Sequence, residues 1–246
     1  LEFKDPAVRK VAADNLKKLG VEGLVVIGGD GSFTGAKCLS DEQGINVVGI
    51  PGTIDNDLAY TDYTLGFDTA VNTVLWAINA LRDTMTSHDR VSLVKVMGRR
   101  CGDIALYAGI CGGAEYILVP EVPYDIQKIA NEIKKNREHG KTANVIVLAE
   151  GAGNENEIKT IVSVISGTDV KVTTLGHIQR GGSPSMADRM LAAKFGVHAV
   201  NLLMEGKTNR VIGCHGQKTI DLDITEALSM KKDIDHDLYD MAAKLC

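Results

Sequence analysis

Two carboxylates lie close together in residues 51–57, whose sequence is Pro-Gly-Thr-Ile-Asp-Asn-Asp and which follow the apolar run 47–50. Side chains alternate along extended backbone, so Asp55 and Asp57 are expected on the same side of the chain. Two like charges at that spacing persist when water, a proton or a cation relieves their repulsion. The pair is therefore compatible with an acid–base or metal site, and also with an Asx-type turn at the surface.

A second candidate is the glycine-rich turn 28–32, Gly-Gly-Asp-Gly-Ser, between the apolar run 24–27 and a predicted helix over 33–39. Glycines let backbone N–H groups approach phosphate oxygens, and a helix N-terminus favours anions. Asp30 would repel a phosphate unless a Mg²⁺ ion lies between them. The turn indicates a phosphate and metal site, although a glycine turn with a capping aspartate has the same sequence.

Further apolar runs are followed by polar residues among small neighbours: Arg99, Glu150, His177 and Arg180. Ligands of open α/β sheets bind beyond the carboxyl ends of the strands. Arginine binds phosphate, while a carboxylate and a histidine hold hydroxyls. One aspartate can take a proton while another holds Mg²⁺. The set predicts a site for a phosphorylated, hydroxyl-rich small molecule.

The elements that must position these residues are short apolar strands separated by helices. Strands are predicted over 24–27, 47–50, 91–97, 116–119, 145–149, 170–175 and 210–213. Helices are predicted over 5–19, 33–39, 67–82, 124–138, 185–205, 225–230 and 237–245, with another ending at Ile110. Continuously apolar strands between helices are typical of parallel sheets covered on both faces, so we predict an α/β fold.

Composition excludes several function classes. The 246 residues carry a net charge of -5, with 44% hydrophobic and 24% charged residues, so no general basic field attracts nucleic acid. The five cysteines are scattered without a C-x-x-C pair, which argues against a disulfide framework or zinc site and favours the cytoplasm. We expect no membrane span and no signal peptide. Because the sequence starts at Leu1 rather than at a methionine, we expect it to be a fragment or a processed piece.

Four motifs stand out, at residues 28–32, 51–57, 97–99 and 176–184. In their order and spacing they resemble the phosphofructokinase family, specifically its bacterial ATP-dependent type. The resemblance runs from the first residue to the last. The second and fourth motifs together are highly specific, whereas Gly-Gly-Asp-Gly elements also occur in lipid and NAD kinases. The resemblance implies two α/β/α domains with mainly parallel sheets and active-site residues at the cleft between them. It implies a nucleotide-binding domain at 1–66 and 179–228, and a sugar-phosphate-binding domain at 67–178 and 229–246.

The same resemblance implies phosphoryl transfer from ATP to the 1-hydroxyl of fructose 6-phosphate, a step of glycolysis. Asp55 would then be the base, Thr53 would lie near the transferring phosphate, and Arg99 would stabilise the developing charge. Asp30 and Asp57 would serve the Mg²⁺ that accompanies ATP. The implied ATP-binding residues are Gly29, Asp30, Gly31, Ser32 and Gly35. The implied sugar-phosphate-binding residues are Arg90, Met97, Gly98, Arg99, Glu150, Lys171, His177 and Arg180.

The family further implies a homotetramer, in which Arg90 reaches the sugar phosphate of a neighbouring subunit. ADP or phosphoenolpyruvate is the implied effector of an allosteric site between subunits. The residues implied for that site are Arg82, Glu121, His139 and Lys141, which are also compatible with a solvated charged surface.

Two glycines favour ATP over pyrophosphate as donor, because pyrophosphate-dependent relatives typically hold Asp and Lys in place of Gly31 and Gly52. This chain has Lys171 where the family usually has an arginine. Lysine keeps the charge but cannot form the two parallel hydrogen bonds of a guanidinium, so we expect weaker sugar-phosphate binding. The family's chain also starts earlier, with a Gly-Gly-Asp-x-Pro-Gly loop that cradles ATP. Three alternatives stay open: a pyrophosphate-dependent phosphofructokinase, a catalytically weak fragment or subunit that binds sugar phosphate, and a kinase for another sugar phosphate.

Overall fold

The computed structural model describes residues 2–85, 90–141 and 143–245. Helices α1 to α9 span Pro6–Lys18, Asp30–Gln43, Phe67–Met85, Asp103–Cys111, Ile126–Glu138, Glu155–Ser166, Met186–Met204, Ile224–Ser229 and His236–Leu245. Strands β1 to β8 span Leu24–Gly28, Val47–Pro51, Arg90–Val96, Tyr116–Leu118, Asn144–Ala149, Asp169–Thr174, Arg210–His215 and Lys218–Asp223. Short 3-10 helices cover Glu2–Lys4 and Gly176–Arg180.

The chain divides into two compact units. Unit 1 consists of Leu1–Thr53, Leu58–Gly66 and Met186–Lys232, and unit 2 of Ile54–Asp57, Phe67–Ser185 and Asp233–Cys246. These bounds differ from the expected domains at residues 54–57, 179–185 and 229–232. The local reason is hydrogen bonding, because Asn56 bonds to Asp103 and Gln179 bonds to Met97, both in unit 2. The nucleotide and sugar-phosphate roles of the two domains stay predictions.

Unit 1 is a sheet with the strand order β1-β2-β7-β8, in which only the last pairing is antiparallel. Phe33 and Leu39 of α2 pack on one face of the sheet, together with α1 and α8. Phe195 and Leu202 of α7 pack on the other face. The apolar runs 24–27 and 47–50 are therefore parallel strands, as the sequence predicts. Strand β2 is buried throughout, whereas β1 is only partly buried and its Ile27 is 65% exposed.

Unit 2 is a parallel sheet with the strand order β4-β5-β3-β6. Helices α3, α4 and α9 cover one face, where Val94 and Val147 point into the core. Helices α5 and α6 cover the other face, where Leu93 and Ile146 are buried. Adjacent residues of β3 thus point to opposite, buried faces, which explains why Val91, Leu93, Val94 and Val96 are all apolar. The predicted fold class, α/β with mainly parallel sheets, is confirmed.

The structure extends or adds several elements relative to the prediction. Helix α2 begins at Asp30 rather than at residue 33, so the glycine turn ends at Gly29, and it stops where Gly44 adopts a φ of 67°. Helix α6 was not predicted, although Asn154 accepts hydrogen bonds from its first turn and Gly167 ends it with a φ of 67°. Strand β8 was also missed.

Two further observations concern helix hydrophobicity and the cysteines. Among the described residues, no helix combines the length and apolar character needed to cross a bilayer. Four cysteines are thiols rather than disulfides, namely Cys38, Cys101, Cys111 and Cys214. Cys246 lies outside the described residues.

Candidate active site

The carboxyl ends of three neighbouring strands hold predicted site residues in unit 2. Because β3 pairs in parallel with both β5 and β6, the segments that follow them start at the same edge of the sheet. The Glu150 N–H donates to the Val96 carbonyl over 2.9 Å. The Met97 N–H donates to Gln179 Oε1 over 3.2 Å, which ties the 3-10 helix containing His177 to the end of β3.

The loop after β3 turns sharply at two residues with positive φ. Gly98 has a φ of 135°, and a Cβ there would lie 2.4 Å from the Cys101 carbonyl oxygen. Arg99 has a φ of 55°, and its N–H donates to Glu150 Oε1 over 2.7 Å. The predicted residues Gly98, Arg99 and Glu150 are therefore parts of one hydrogen-bonded turn.

The Arg99 guanidinium lies beside both carboxylates of the 51–57 motif. Its Nε is 3.6 Å from Asp55 Oδ2 and its Nη1 is 3.8 Å from Asp57 Oδ2. The side chain of Arg99 is 72% exposed, whereas that of Asp55 is 9% exposed. Solvent screens an exposed cation of this kind, so these two ion pairs contribute little to stability and leave Arg99 accessible to a ligand.

The pKa of Asp55 is raised above that of an ordinary aspartate. Burial is the largest cause, and the negative charges of Asp57 and Glu150 add to it, while Arg99 and Arg180 oppose it. A carboxylate in this environment holds a proton more readily than an exposed aspartate does. Asp55 therefore has the electrostatic setting of a general base, surrounded by other predicted site residues.

Two predicted sugar-phosphate residues lie elsewhere in unit 2. Arg90 begins β3, and since the strand has 7 residues, it lies about 20 Å from the strand's carboxyl end at about 3.3 Å per residue. Both Arg90 and Lys171 approach Asp169 Oδ2, at 3.7 and 3.0 Å respectively. The structure therefore groups Arg90 with Lys171 but does not bring either to Asp55.

The glycine turn of unit 1 lies next to the end of β2. The Gly52 N–H donates to the Gly28 carbonyl over 2.9 Å, and Asp30 is exposed as the first residue of α2. A Cβ at Gly31 would meet no atom within 4 Å, whereas a Cβ at Gly35 would lie 3.2 Å from the Phe3 ring. The backbone near Gly31 is thus open and Gly35 is packed. The remaining predicted ATP-site residues, Gly29 and Ser32, lie at the start of α2, where the Ser32 N–H donates to the Gly29 carbonyl.

Thr53 lies in unit 1 directly after this junction. Its carbonyl accepts a hydrogen bond from Thr64 Oγ1 over 2.6 Å, so the backbone of the motif is anchored there. In the described part of the chain, no group of three or more His, Cys, Asp or Glu side chains is arranged to hold a metal ion. A metal at Asp57 or Asp30 would therefore take further ligands from a bound substrate or from water.

The predicted effector residues separate into two sets. Glu115 lies 3.9 Å from Arg82 Nη2 and 3.4 Å from Lys141 Nζ, and Arg82 also donates to the Gly113 carbonyl. Sequence reasoning missed Glu115, although an acidic residue between a glycine pair and a strand was a usable signal.

The other two predicted effector residues have local roles. Glu121 Oε1 accepts the Gly102 N–H over 2.8 Å, and burial raises the pKa of this carboxyl. His139 Nδ1 lies 2.7 Å from the Lys135 carbonyl at the end of α5. Glu121 thus contacts the start of α4 and His139 the last turn of α5, and their effector roles stay predictions.

Comparison with known proteins adds a family assignment to this geometry. The family model named Phosphofructokinase matches residues 1–203. The ATP-dependent 6-phosphofructokinase of Clostridium tetani is 58% identical over 244 residues, which cover 99% of this chain and 76% of that protein. The ATP-dependent 6-phosphofructokinase 1 of Clostridium perfringens is 57% identical over 242 residues, covering 98% of this chain and 76% of that protein.

A solved structure shows the same similarity in three dimensions. The phosphofructokinase of Saccharomyces cerevisiae matches with a TM-score of 0.88 and 31% identity, and the match covers 100% of this chain but 37% of the yeast chain. This chain thus spans little more than a third of the yeast chain's length, while it spans 76% of the clostridial relatives. By its sequence relatives and its family match, the chain belongs to the phosphofructokinase family.

Proposed function

We propose that this chain transfers the γ-phosphoryl group of ATP to the 1-hydroxyl of fructose 6-phosphate, giving fructose 1,6-bisphosphate and ADP. The observation that carries this proposal is the buried Asp55 carboxylate, which has a raised pKa and lies beside Asp57 and Arg99. The clostridial relatives, which are named ATP-dependent 6-phosphofructokinases, support the choice of donor and acceptor.

In the proposed reaction, Asp55 takes the proton of the 1-hydroxyl as that oxygen forms a bond to the γ-phosphorus. The bond between the γ-phosphorus and the bridging oxygen breaks, and ADP leaves. Arg99 is proposed to stabilise the charge on the transferring group, since its guanidinium is exposed beside both aspartates. Thr53 is proposed to hydrogen-bond the same phosphate.

The sugar phosphate is proposed to bind at the edge of the sheet in unit 2. Glu150 is the proposed partner of sugar hydroxyls, and it is already oriented by the Arg99 N–H. His177 and Arg180 are exposed on the 3-10 helix at the same edge, where they can donate to hydroxyl and phosphate oxygens. Met97 and Gly98 are proposed to line this pocket.

Asp57 and Asp30 are the proposed protein ligands of Mg²⁺. Mg²⁺ is usually held by one or two carboxylates together with phosphate oxygens and water. The side chain of Asp57 is 26% exposed, so its carboxylate is accessible, and Asp30 is exposed as well. Each carboxylate by itself is thus accessible to such an ion, which when bound would neutralise charge on the β- and γ-phosphates.

The ATP site is proposed at the glycine turn of unit 1. Open space next to Gly31 supports ATP as the donor, because a carboxylate in that position would repel its α-phosphate. Gly52 supports the same choice, since a Cβ there would lie 2.7 Å from Ile27 Cγ2 and a lysine would need Ile27 to move.

We further propose that the protein is a cytoplasmic homotetramer with an allosteric site. Arg90 and Lys171 are grouped away from Asp55, which supports their binding the sugar phosphate of a neighbouring subunit. Arg82 and Lys141, with Glu115 between them, form the proposed basic site for ADP or phosphoenolpyruvate.

A donor assay tests the proposed function. The purified chain is incubated with fructose 6-phosphate and Mg²⁺, with either ATP or pyrophosphate as donor, and fructose 1,6-bisphosphate is measured. Turnover with ATP alone is expected. Turnover with pyrophosphate but not ATP would establish the pyrophosphate-dependent alternative, and binding of fructose 6-phosphate without any turnover would indicate a sugar-phosphate-binding subunit instead.

A further inference from the structure

We propose that Asn56 and Asp103 form a buried positioning pair that holds Asp55 in its reactive place beside Arg99. This inference rests on the proposed function, because it takes Asp55 as the base. Neither Asn56 nor Asp103 is proposed to touch the substrate. They act through the backbone of the motif 54–57.

The backbone of that motif turns at Asn56. It lies between the two aspartates, is 1% exposed, and adopts a left-handed φ of 53°. Asparagine tolerates this conformation better than most residues, yet it still has a cost that surrounding contacts must offset. One contact that fixes Asn56 is a hydrogen bond from Nδ2 to Asp103 Oδ2 over 2.7 Å.

Asp103 is held firmly at the other end of this bond. It is the first residue of α4 and 4% exposed, and a carboxylate in the first turn of a helix is stabilised by the helix dipole. The preceding Gly102 N–H donates to Glu121 Oε1 over 2.8 Å. Glu121 therefore helps to fix the start of α4, and Asp103 offers Asn56 an acceptor in a defined position.

The same loop carries Arg99. The Cys101 N–H donates to the Gly98 carbonyl over 2.8 Å, which closes the turn around Arg99 just before α4 begins. The bond between Asn56 and Asp103 thus joins the segment that holds the aspartates to the segment that holds Arg99. The ion pair between Arg99 and Asp55 holds the two segments together only weakly, because the Arg99 side chain is 72% exposed and its Nε lies 3.6 Å from Asp55 Oδ2.

The geometry also explains why a buried bond is needed. The hydrogen bond from Asn56 to Asp103 is buried, so water does not compete for it. Misplacement of a reacting group by about 1 Å can lower a rate by about 100-fold. Release of Asn56 is therefore expected to affect the chemical step more than substrate binding.

Three variants test the pair. Asn56→Gly keeps a residue that tolerates positive φ but removes the donor, and Asp103→Ala removes the acceptor. Asp103→Asn is the matched control, because its side-chain oxygen can still accept from Asn56. We expect Asn56→Gly and Asp103→Ala to lower kcat by about 10- to 100-fold, with KM for both substrates changed by less than about 3-fold, and Asp103→Asn to stay close to the unaltered chain.

A second measurement does not depend on turnover. Backbone hydrogen–deuterium exchange over residues 54–57 and 98–102 is measured by mass spectrometry in each protein. The bond from Asn56 to Asp103 joins these two segments, so its loss should let their backbone N–H groups exchange faster. Faster exchange is expected in Asn56→Gly and Asp103→Ala, but not in Asp103→Asn.

The outcomes separate this inference from the proposed function. Absence of turnover in the unaltered chain would reject the proposed function, while hydrogen exchange would still decide about the pair. Unchanged exchange over residues 54–57 in Asn56→Gly overturns the positioning role, as does a kcat in Asp103→Asn as low as in Asp103→Ala. If Asp103→Ala does not fold, the measurements on Asn56→Gly decide whether the pair positions Asp55.

Discussion

Arg99 and Glu150 are joined backbone to side chain, since the N–H of Arg99 donates to Glu150 Oε1 over 2.7 Å. This bond turns the Arg99 side chain toward the two aspartates of the 51–57 motif while its φ is 55°. A residue proposed to bind the sugar thus orients a residue proposed to stabilise the phosphoryl group. The positions of Arg99 and Glu150 in unit 2 therefore depend on each other through a backbone hydrogen bond as well as through charge.

Replacement of the proposed base tests the mechanism directly. Asp55→Ser is expected to lower kcat by about 100- to 10,000-fold, the usual contribution of a general base, with little change in the binding of fructose 6-phosphate. The measurement is steady-state kinetics together with equilibrium binding of the sugar phosphate. Asp14→Asn, in α1 with a side chain that is 47% exposed, serves as the control and should keep normal kcat. A near-normal kcat in Asp55→Ser would rule out Asp55 as the base.

The stability of the protein should depend on the protonation of Asp55. Its folded-state pKa is raised, so the folded state binds the proton more tightly than the unfolded state, and stability decreases as pH rises through this range. Asp55→Asn removes the buried charge and is expected to raise Tm at pH 7, with a smaller gain at pH 4. Thermal unfolding at both values measures this. An equal or larger gain at pH 4 would contradict the sign derived from burial.

The identity of the donor can be tested at Gly31. Gly31→Asp adds a carboxylate where a Cβ meets no atom within 4 Å, so the chain should fold normally, but the charge should repel the α-phosphate of ATP. We expect KM for ATP to rise at least about 10-fold, which corresponds to about 1.4 kcal/mol. Gly31→Ala is the control, because it adds only a methyl group, and its KM for ATP should stay nearly normal. If both variants raise KM for ATP equally, the added volume rather than the charge weakens ATP binding.

The packing of β2 against α2 predicts a contrast between two glycines of unit 1. A Cβ at Gly49 would lie 2.7 Å from Phe33 Cε1 and 2.9 Å from Val211 Cγ1, so Gly49→Ala should lower the free energy of unfolding by about 1–3 kcal/mol. Gly196 lies inside α7, where a Cβ meets no atom within 4 Å, so Gly196→Ala should raise it by about 0.5–1 kcal/mol. Denaturant unfolding compares the two, and a destabilising Gly196→Ala would show that the contrast in packing is wrong.

The sequence predicted those elements whose signal is local. Buried parallel strands appear as short apolar runs, and strand ends in unit 2 gave Glu150, His177 and the Arg99 loop. Helix α6 was missed although Asn154 and Gly167 mark its ends. Strand β8 was missed because alternation over 218–223 is short and only partly buried.

Contacts between distant residues had no such signal. The bond from Asn56 to Asp103 spans 47 residues, and nothing near either residue predicts its partner. The grouping of Arg82 with Glu115 and Lys141 likewise arises when the sheet of unit 2 assembles. The effector prediction named Glu121 and not Glu115, because the sequence does not show which acidic residue near β4 lies beside Arg82.

The role of Lys171 is tested by restoring the arginine that the family usually carries. Lys171 Nζ lies 3.0 Å from Asp169 Oδ2, and this bond is the main cause of the lowered pKa of Asp169. Lys171→Arg adds a planar fork that can hold two phosphate oxygens, so we expect KM for fructose 6-phosphate to fall by about 3- to 10-fold, a gain of about 1 kcal/mol. Lys171→Met should raise KM, since it keeps the apolar stem without the charge. Lys159→Arg, on α6, is the matched control and should leave KM unchanged. If Lys171→Arg and Lys171→Met both leave KM unchanged, Lys171 does not bind the sugar phosphate, and its charge serves Asp169 alone.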